Sequence, residues 1–201
     1  MSFDPSGKFL IAPDKGVDAT YIYHFDAATG KLVANDPSHV KSRYGAGPRH
    51  LSFHPVGPLA WLINELDYTV TTYHWDATLG VLKPVHIIPT TPPDFVDDNT
   101  GAEIAVAPSG RFVYVSNRGY DTIATFAVDP VDGTLAPLGW EPTQGRKPRF
   151  FTLDPAGEKL YVYNEDSDTI VAYRLDVRTG LPVPTGLVIA TGSPSCIVFD
   201  K

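Results

Sequence analysis

Apolar residues in this chain alternate with polar ones or form short β-branched and aromatic runs, which are typical of strands and not of helices. Residues 112–115 (Phe-Val-Tyr-Val) and 122–126 (Thr-Ile-Ala-Thr-Phe) are two such runs, and turn residues flank them. The 19 prolines and 17 glycines also suit a fold of short strands joined by tight turns. The pattern therefore predicts an all-β protein.

A turn that contains proline and ends in glycine recurs four times and sets the register of a repeat. Its copies lie at residues 4–7, 54–57, 107–110 and 154–157, separated by 50, 53 and 47 residues. An aspartate follows each turn glycine by 19 residues, and a second glycine follows it by 23. Repeats of this period are typical of propellers, in which a blade has four strands. We predict one β-propeller domain over residues 1–201, with four blades of four-stranded antiparallel sheet beginning near residues 2, 52, 105 and 152.

The two ends of the chain lie at nearly the same phase of this repeat. Residues 194–200 match residues 48–54, the innermost strand of the second blade, whereas residues 2–4 match only the end of that strand. Either residues 195–199 complete the first blade and close a four-bladed ring, or the chain belongs to a larger propeller. We favour the larger propeller, since four blades close tightly. On that interpretation the chain alone is expected to be poorly active or unstable.

Composition and charge narrow the choice of partners and compartment. A net charge of −7 without a cluster of Lys and Arg argues against a nucleic-acid partner. No apolar run is long enough to cross a bilayer, so no membrane partner is expected. Cys196 is the single cysteine, which excludes an intrachain disulfide and a Cys-based zinc site. With no secretory signal in the first residues, we predict a reducing, cytoplasmic location.

Charged residues occur where an innermost strand begins and where the strand after it ends, and hairpin pairing brings these two points together. Innermost strands line the central channel, so these side chains are expected to form one concave polar site. The residues are Arg49, Glu65, Glu103, Arg118, Arg149 and Glu165. The alternative is that the charges only neutralise one another around a wet channel, and spacing alone leaves both interpretations open.

Three asparagines, Asn64, Asn117 and Asn164, each follow their turn glycine by seven residues. The economical interpretation is that each asparagine caps its own turn. Mixed Asn and Glu oxygens could instead hold Ca²⁺, but the interspersed arginines disfavour a cation there. We therefore predict no metal and no cofactor.

Four segments carry a resemblance to a known family: residues 45–55 (GAGPRHLSFHP), 64–66 (NEL), 101–104 (GAEI) and 115–119 (VSNRG). They are similar to the β-propeller lactonase family, which contains the propeller type of 6-phosphogluconolactonase and the carboxymuconate cyclases. The resemblance covers essentially the whole chain and implies part of a seven-bladed propeller. It also implies hydrolysis of 6-phospho-D-glucono-1,5-lactone to 6-phosphogluconate, a step of glucose metabolism in the pentose phosphate pathway.

The resemblance implies catalytic residues as well. The family set is a histidine, an arginine, a glutamate and a second arginine, and its motifs place the last three at Arg49, Glu65 and Arg118. The family histidine would fall in an innermost strand ahead of Met1. Glu65 would then act as general base if burial raises its pKa toward neutrality, while the arginines bind the phosphate or the oxyanion.

A small anionic sugar lactone is the partner implied by this set. The residues expected to bind it are His50, Glu103, Arg149 and Asn117. His50 is expected to point to the opposite face of its strand from Arg49 and to act in support. Two other functions stay open: a carboxymuconate-cyclising isomerase that uses the same carboxylate and arginines, and a propeller that binds a ligand without catalysis.

Overall fold

The computed structural model describes residues 1–196 and residue 199 and consists of four antiparallel sheets of four strands each. Blade 1 contains β1 (Ser2–Phe3), β2 (Phe9–Asp14), β3 (Ala19–Asp26) and β4 (Lys31–Lys41). Blade 2 contains β5 (Pro48–Phe53), β6 (Leu59–Asn64), β7 (Thr69–Asp76) and β8 (Val81–Pro89). Blade 3 contains β9 (Thr100–Val106), β10 (Phe112–Arg118), β11 (Thr122–Val128) and β12 (Leu135–Pro142). Blade 4 contains β13 (Pro148–Leu153), β14 (Lys159–Asn164), β15 (Thr169–Leu175) and β16 (Pro182–Ala190).

In every blade the strands are hydrogen-bonded in chain order, from an innermost strand to an outermost one. The all-β, four-bladed prediction is confirmed. The described residues contain one helical segment, a 3-10 turn over Glu165–Ser167. Within the same residues, no helix has the length and hydropathy needed to cross a membrane.

The turn between the third and fourth strands explains why the second glycine of the repeat stands at the same spacing in all four blades. In each blade the N–H of that glycine donates to the carbonyl of the aspartate four residues earlier, at 2.7–2.9 Å. The glycine φ angles lie between 66° and 76°, a left-handed conformation that favours glycine over residues with a Cβ. The four turns are Asp26–Gly30, Asp76–Gly80, Asp129–Gly133 and Asp176–Gly180.

Three hydrophobic clusters lie between successive blades and form the core. Because neighbouring side chains of a strand point to opposite faces, a central strand packs on both adjacent blades. In β6, Leu62 belongs to the cluster between blades 1 and 2, whereas Trp61 and Ile63 belong to the cluster between blades 2 and 3. The blades therefore stack face to face in chain order.

The innermost strand of the first blade is short, as the sequence predicts. β1 has two residues, against six or seven in β5, β9 and β13. The strand predicted over residues 195–199 involves residues 197 and 198, which lie outside the described residues. Completion of the first blade by the end of the chain therefore stays a prediction, as does the single domain over residues 1–201.

Candidate active site

One position of the repeat, the eighth residue after each turn glycine, carries a charge whose sign alternates from blade to blade. The four residues are Lys15, Glu65, Arg118 and Glu165. Glu65 Oε1 lies 3.0 Å from Lys15 Nζ of blade 1 and 3.2 Å from Arg118 Nη2 of blade 3. The position therefore joins three blades by ion pairs. Lys15 was not predicted as a site residue, although this alternation of sign would have indicated it.

Arg49 reaches the same carboxylate because of a backbone irregularity. Its strand, β5, carries a β-bulge in its pairing with β6, and Arg49 is the extra residue. A bulge re-aims the side chain of the strand that carries it. Arg49 Nη1 donates to Glu65 Oε2 at 2.5 Å, and Arg49 Nε donates to the carbonyl of Ala102 in blade 3 at 2.9 Å. The predicted convergence of Arg49, Glu65 and Arg118 is thus confirmed; their catalytic roles stay a prediction.

The carboxylate of Glu65 is surrounded by three cations, and this environment controls its acidity. The residue is only 7% exposed, and burial by itself raises the pKa of its carboxyl group. Hydrogen bonds from Lys15 and Arg49, with the positive charges of Arg49 and Arg118, outweigh burial and lower the pKa to about 2. The condition under which Glu65 would act as general base, a pKa raised toward neutrality by burial, is therefore not met. Glu65 is ionised at neutral pH and is a weak base.

Arg118 also lines a cavity of about 490 Å³ between blades 3 and 4. Lys147, Arg149 and Glu165 also line this cavity. Arg149 Nη1 lies 3.9 Å from Glu165 Oε2, and both side chains are partly exposed, so the Arg149 guanidinium is free to contact an anion. Burial lowers the pKa of Arg118, while the charge of Glu65 opposes that shift.

A second polar pair, His50 and Glu103, occupies equivalent positions of β5 and β9. His50 Nδ1 lies 2.8 Å from Glu103 Oε2, and together with Phe150 of β13 the pair lines a cavity of about 280 Å³. Arg49 and His50 both contact β9, at Ala102 and Glu103 respectively. The expectation that they point to opposite faces is wrong, because the bulge at Arg49 interrupts the alternation of side chains.

The three asparagines serve the fold. Each donates its side-chain N–H to a threonine hydroxyl five residues further on, so the turn-capping interpretation is confirmed. Asn117 is fully buried, and its amide is bonded to Thr90 and Asn99. In this structure Asn117 therefore serves the fold, and its role as a substrate-binding residue stays a prediction. Among the described residues, no three His, Cys, Asp or Glu side chains are grouped so as to hold a metal.

Four-stranded antiparallel blades that stack face to face in chain order define a β-propeller. Residues 1–199 match the family described as "Lactonase, 7-bladed beta-propeller", and the chain belongs to this family. The resemblance inferred from the motifs is thereby confirmed.

Individual relatives agree with the family assignment. The chain is 37% identical to 6-phosphogluconolactonase of Bacillus subtilis, over 76% of this chain and 43% of the relative. It is 35% identical to 6-phosphogluconolactonase of Pectobacterium carotovorum, over 76% of this chain and 46% of the relative. The solved structure of the periplasmic gluconolactonase PpgL of Pseudomonas aeruginosa superposes with a TM-score of 0.89 at 33% identity, over 97% of this chain and 54% of that one. The chain spans about half the length of these relatives.

Proposed function

We propose that this chain contributes the site of a lactonase that hydrolyses 6-phospho-D-glucono-1,5-lactone to 6-phosphogluconate in the pentose phosphate pathway. The observation that carries the proposal is the pair of partly buried guanidiniums, Arg49 and Arg118, held on the buried carboxylate of Glu65. Relatives from Bacillus subtilis and Pectobacterium carotovorum that bear the name 6-phosphogluconolactonase support this substrate.

The arginine cluster fits the charge changes of lactone hydrolysis. Attack of water on the carbonyl carbon places negative charge on the carbonyl oxygen, and donors fixed in advance stabilise that charge most. Glu65 holds Arg49 and Arg118 in place, because its two oxygens accept hydrogen bonds or ion pairs from both. Glu65 is thus a positioning residue, and Arg49 and Arg118 are the groups that contact the lactone oxygen.

The phosphate of the substrate fits the cavity next to this cluster. Lys147 and Arg149 line it together with Arg118, and the Arg149 guanidinium is only loosely paired. A planar guanidinium binds phosphate through two parallel hydrogen bonds, and the ammonium of Lys147 adds a point charge. This division assigns Arg149 to the phosphate, in agreement with its prediction as a substrate-binding residue.

A cytoplasmic location accompanies this proposal. It rests on the phosphorylated substrate and on the single cysteine, Cys196, which suits a reducing compartment. The relative PpgL bears the name of a periplasmic enzyme, so members of similar fold occur in more than one compartment. Fractionation of cells that produce the native protein, with an antibody against it, tests the location.

Hydrolysis of freshly prepared lactones, corrected for the spontaneous rate, tests the proposed activity. We expect kcat/KM at least about tenfold higher for 6-phosphogluconolactone than for glucono-1,5-lactone, and Arg149→Met should remove most of that preference. Arg174→Met, an exposed residue of β15, is the matched control. A rate equal to the spontaneous rate, measured on the larger propeller that is expected to contain this chain, would refute the proposal. Turnover of a muconate-type acid instead of either lactone would favour the isomerase.

A further inference from the structure

We propose that His50 accepts the proton of the attacking water and that Glu103 is its positioning residue. The inference deepens the proposed lactonase function and rests on it. Its starting point is Glu65, whose carboxylate is occupied by Lys15, Arg49 and Arg118 and is a weak base. Hydrolysis needs another proton acceptor, and because the histidine of the family set would fall ahead of Met1, the candidate within these residues is His50, the neighbour of Arg49 on β5.

The contact with Glu103 determines which nitrogen of His50 is free. A carboxylate can only accept a hydrogen bond, so His50 Nδ1, 2.8 Å from Glu103 Oε2, carries the hydrogen in the neutral ring. Nε2 then holds the lone pair that a general base requires. Glu103 is itself fixed, because it is buried and its Oε1 accepts the backbone N–H of Ile104 at 3.1 Å. A base oriented by a third group is the arrangement found in catalytic triads.

The sequence position of His50 places it next to Arg49 on the innermost strand β5. Arg49 and His50 are consecutive, and they contact the consecutive residues Ala102 and Glu103 of β9. Neighbouring Cα atoms are about 3.8 Å apart, so the His50–Glu103 contact lies one residue further along β5 and β9 than the contact of Arg49 with Ala102. The His50 side chain is 34% exposed and lines a cavity, whereas its equivalent in β13 is Phe150, which has no titratable group.

The proposed step conserves atoms and charge. His50 Nε2 takes a proton from water as the water oxygen bonds to the lactone carbonyl carbon, and the π electrons move to the carbonyl oxygen beside Arg49 and Arg118. The carbonyl then re-forms, and the bond between that carbon and the ring oxygen breaks. The protonated His50 gives its proton to the ring oxygen, which becomes the new hydroxyl. Glu103 stays a carboxylate throughout, and the net change is the addition of one water.

Substitution of His50 with chemical rescue tests this role. His50→Ala should lower kcat by about 10²–10⁴ with little change in KM, and added imidazole should restore part of the rate. Glu103→Gln keeps a hydrogen-bond acceptor for Nδ1 but removes the negative charge. Its kcat should fall by about tenfold, which is less than the fall expected for His50→Ala. The matched control is His39→Ala, at an exposed position of β4. This variant should keep the wild-type kcat, and imidazole should not change it. An unchanged kcat in His50→Ala, or a loss that imidazole does not restore, would overturn the proposal.

A binding experiment separates this inference from the proposed function. If the larger propeller that is expected to contain this chain hydrolyses no lactone above the spontaneous rate, the proposed function fails on that result alone. Nitrogen-15 NMR then examines His50 directly: its ring should carry the hydrogen on Nδ1, and saturating 6-phosphogluconate should shift the Nε2 resonance. An Nε2–H tautomer, or an Nε2 resonance that the product leaves in place, would contradict the role of His50 even in an active chain.

Discussion

Blades 2 and 4 carry the same local construction but differ in electrostatics. Each has an arginine at a bulge of its innermost strand and a glutamate sixteen residues later, just after the second strand. In blade 2 Arg49 Nη1 lies 2.5 Å from Glu65 Oε2, and the two side chains are 18% and 10% exposed. In blade 4 Arg149 Nη1 lies 3.9 Å from Glu165 Oε2, and the two side chains are 41% and 31% exposed. The repeat therefore does not by itself make a buried ion cluster.

The neighbouring blades make the difference. Glu65 forms ion pairs with Lys15 of blade 1 and Arg118 of blade 3, in addition to Arg49 of its own blade. For Glu165, the ion pair among the described residues comes from Arg149 of the same blade. One loose pair in water contributes little, whereas several cations around a buried carboxylate fix its position and its charge. A buried ion cluster thus arises where three copies of one repeat position carry alternating charges.

The comparison is tested most strongly by removing each glutamate charge in turn. Glu65→Gln leaves Arg49 and Arg118 buried with no counter-charge, so the free energy of unfolding should fall by about 3–5 kcal/mol. Glu165→Gln removes one partner of an exposed pair and should change it by less than about 1 kcal/mol. Urea unfolding of both variants and the wild type measures the difference. Equal losses in the two variants would show that neighbouring blades do not distinguish the sites.

The acid dependence of stability should follow the same carboxylate. The Glu65 pKa is lowered from 4.5 to about 2 in the folded chain. The ionised carboxylate therefore contributes fully to the free energy of unfolding above pH 4.5, and this contribution is lost as the pH falls through about 2. That shift corresponds to about 3 kcal/mol. Between pH 5 and pH 2 the wild type should lose about this much more unfolding free energy than Glu65→Gln. Parallel pH profiles of the two proteins would refute the lowered pKa.

Exchange of arginine for lysine tests the geometry of the two guanidiniums. Arg118→Lys keeps the charge but loses the planar fork, so kcat/KM for 6-phosphogluconolactone should fall by about 10- to 100-fold. Arg149→Lys keeps a charge at a looser, more exposed position and should cost about threefold or less. Steady-state kinetics of both variants against the wild type provides the ratio. A larger loss in Arg149→Lys would transfer the main anion contact to blade 4.

Lys15 should have the smallest effect of the residues around Glu65. Its side chain is half exposed, so Lys15→Met should lower the free energy of unfolding by less than about 1 kcal/mol. Because one donor to Glu65 is lost, the acid transition should begin at a higher pH than in the wild type. The pH series used for Glu65→Gln measures both quantities. A stability loss as large as that of Glu65→Gln would mean that Lys15 is essential to the cluster.

The sequence predicts the features that depend on local chemistry. The blade repeat follows from turn positions where glycine is needed, and the asparagine caps follow from hydrogen bonds within one hairpin. The convergence of Arg49, Glu65 and Arg118 was also predictable, because hairpin pairing fixes which strand ends meet. These inferences need only the residues of one blade and its register.

The features that were missed depend on contacts between blades or on irregular backbone. Burial alone would raise the Glu65 pKa; it is lowered by Lys15 and Arg118 from other blades as well as by Arg49 of its own blade. The directions of Arg49 and His50 depend on a bulge that interrupts strict alternation. Neither signal appears in a hydrophobic pattern read strand by strand. Comparison of equivalent positions across blades would have revealed the alternating charges.

Calorimetric titration with 6-phosphogluconate tests most directly whether the cross-blade arginine cluster is the anion site. The account predicts that Arg118→Met, checked for folding, weakens binding by about 30-fold or more, since a buried charged hydrogen-bond donor to the ligand is lost. Arg174→Met, which removes an exposed charge on β15, should bind as the wild type does. Equal dissociation constants for Arg118→Met and the wild type would contradict the account, because the ligand would then bind elsewhere.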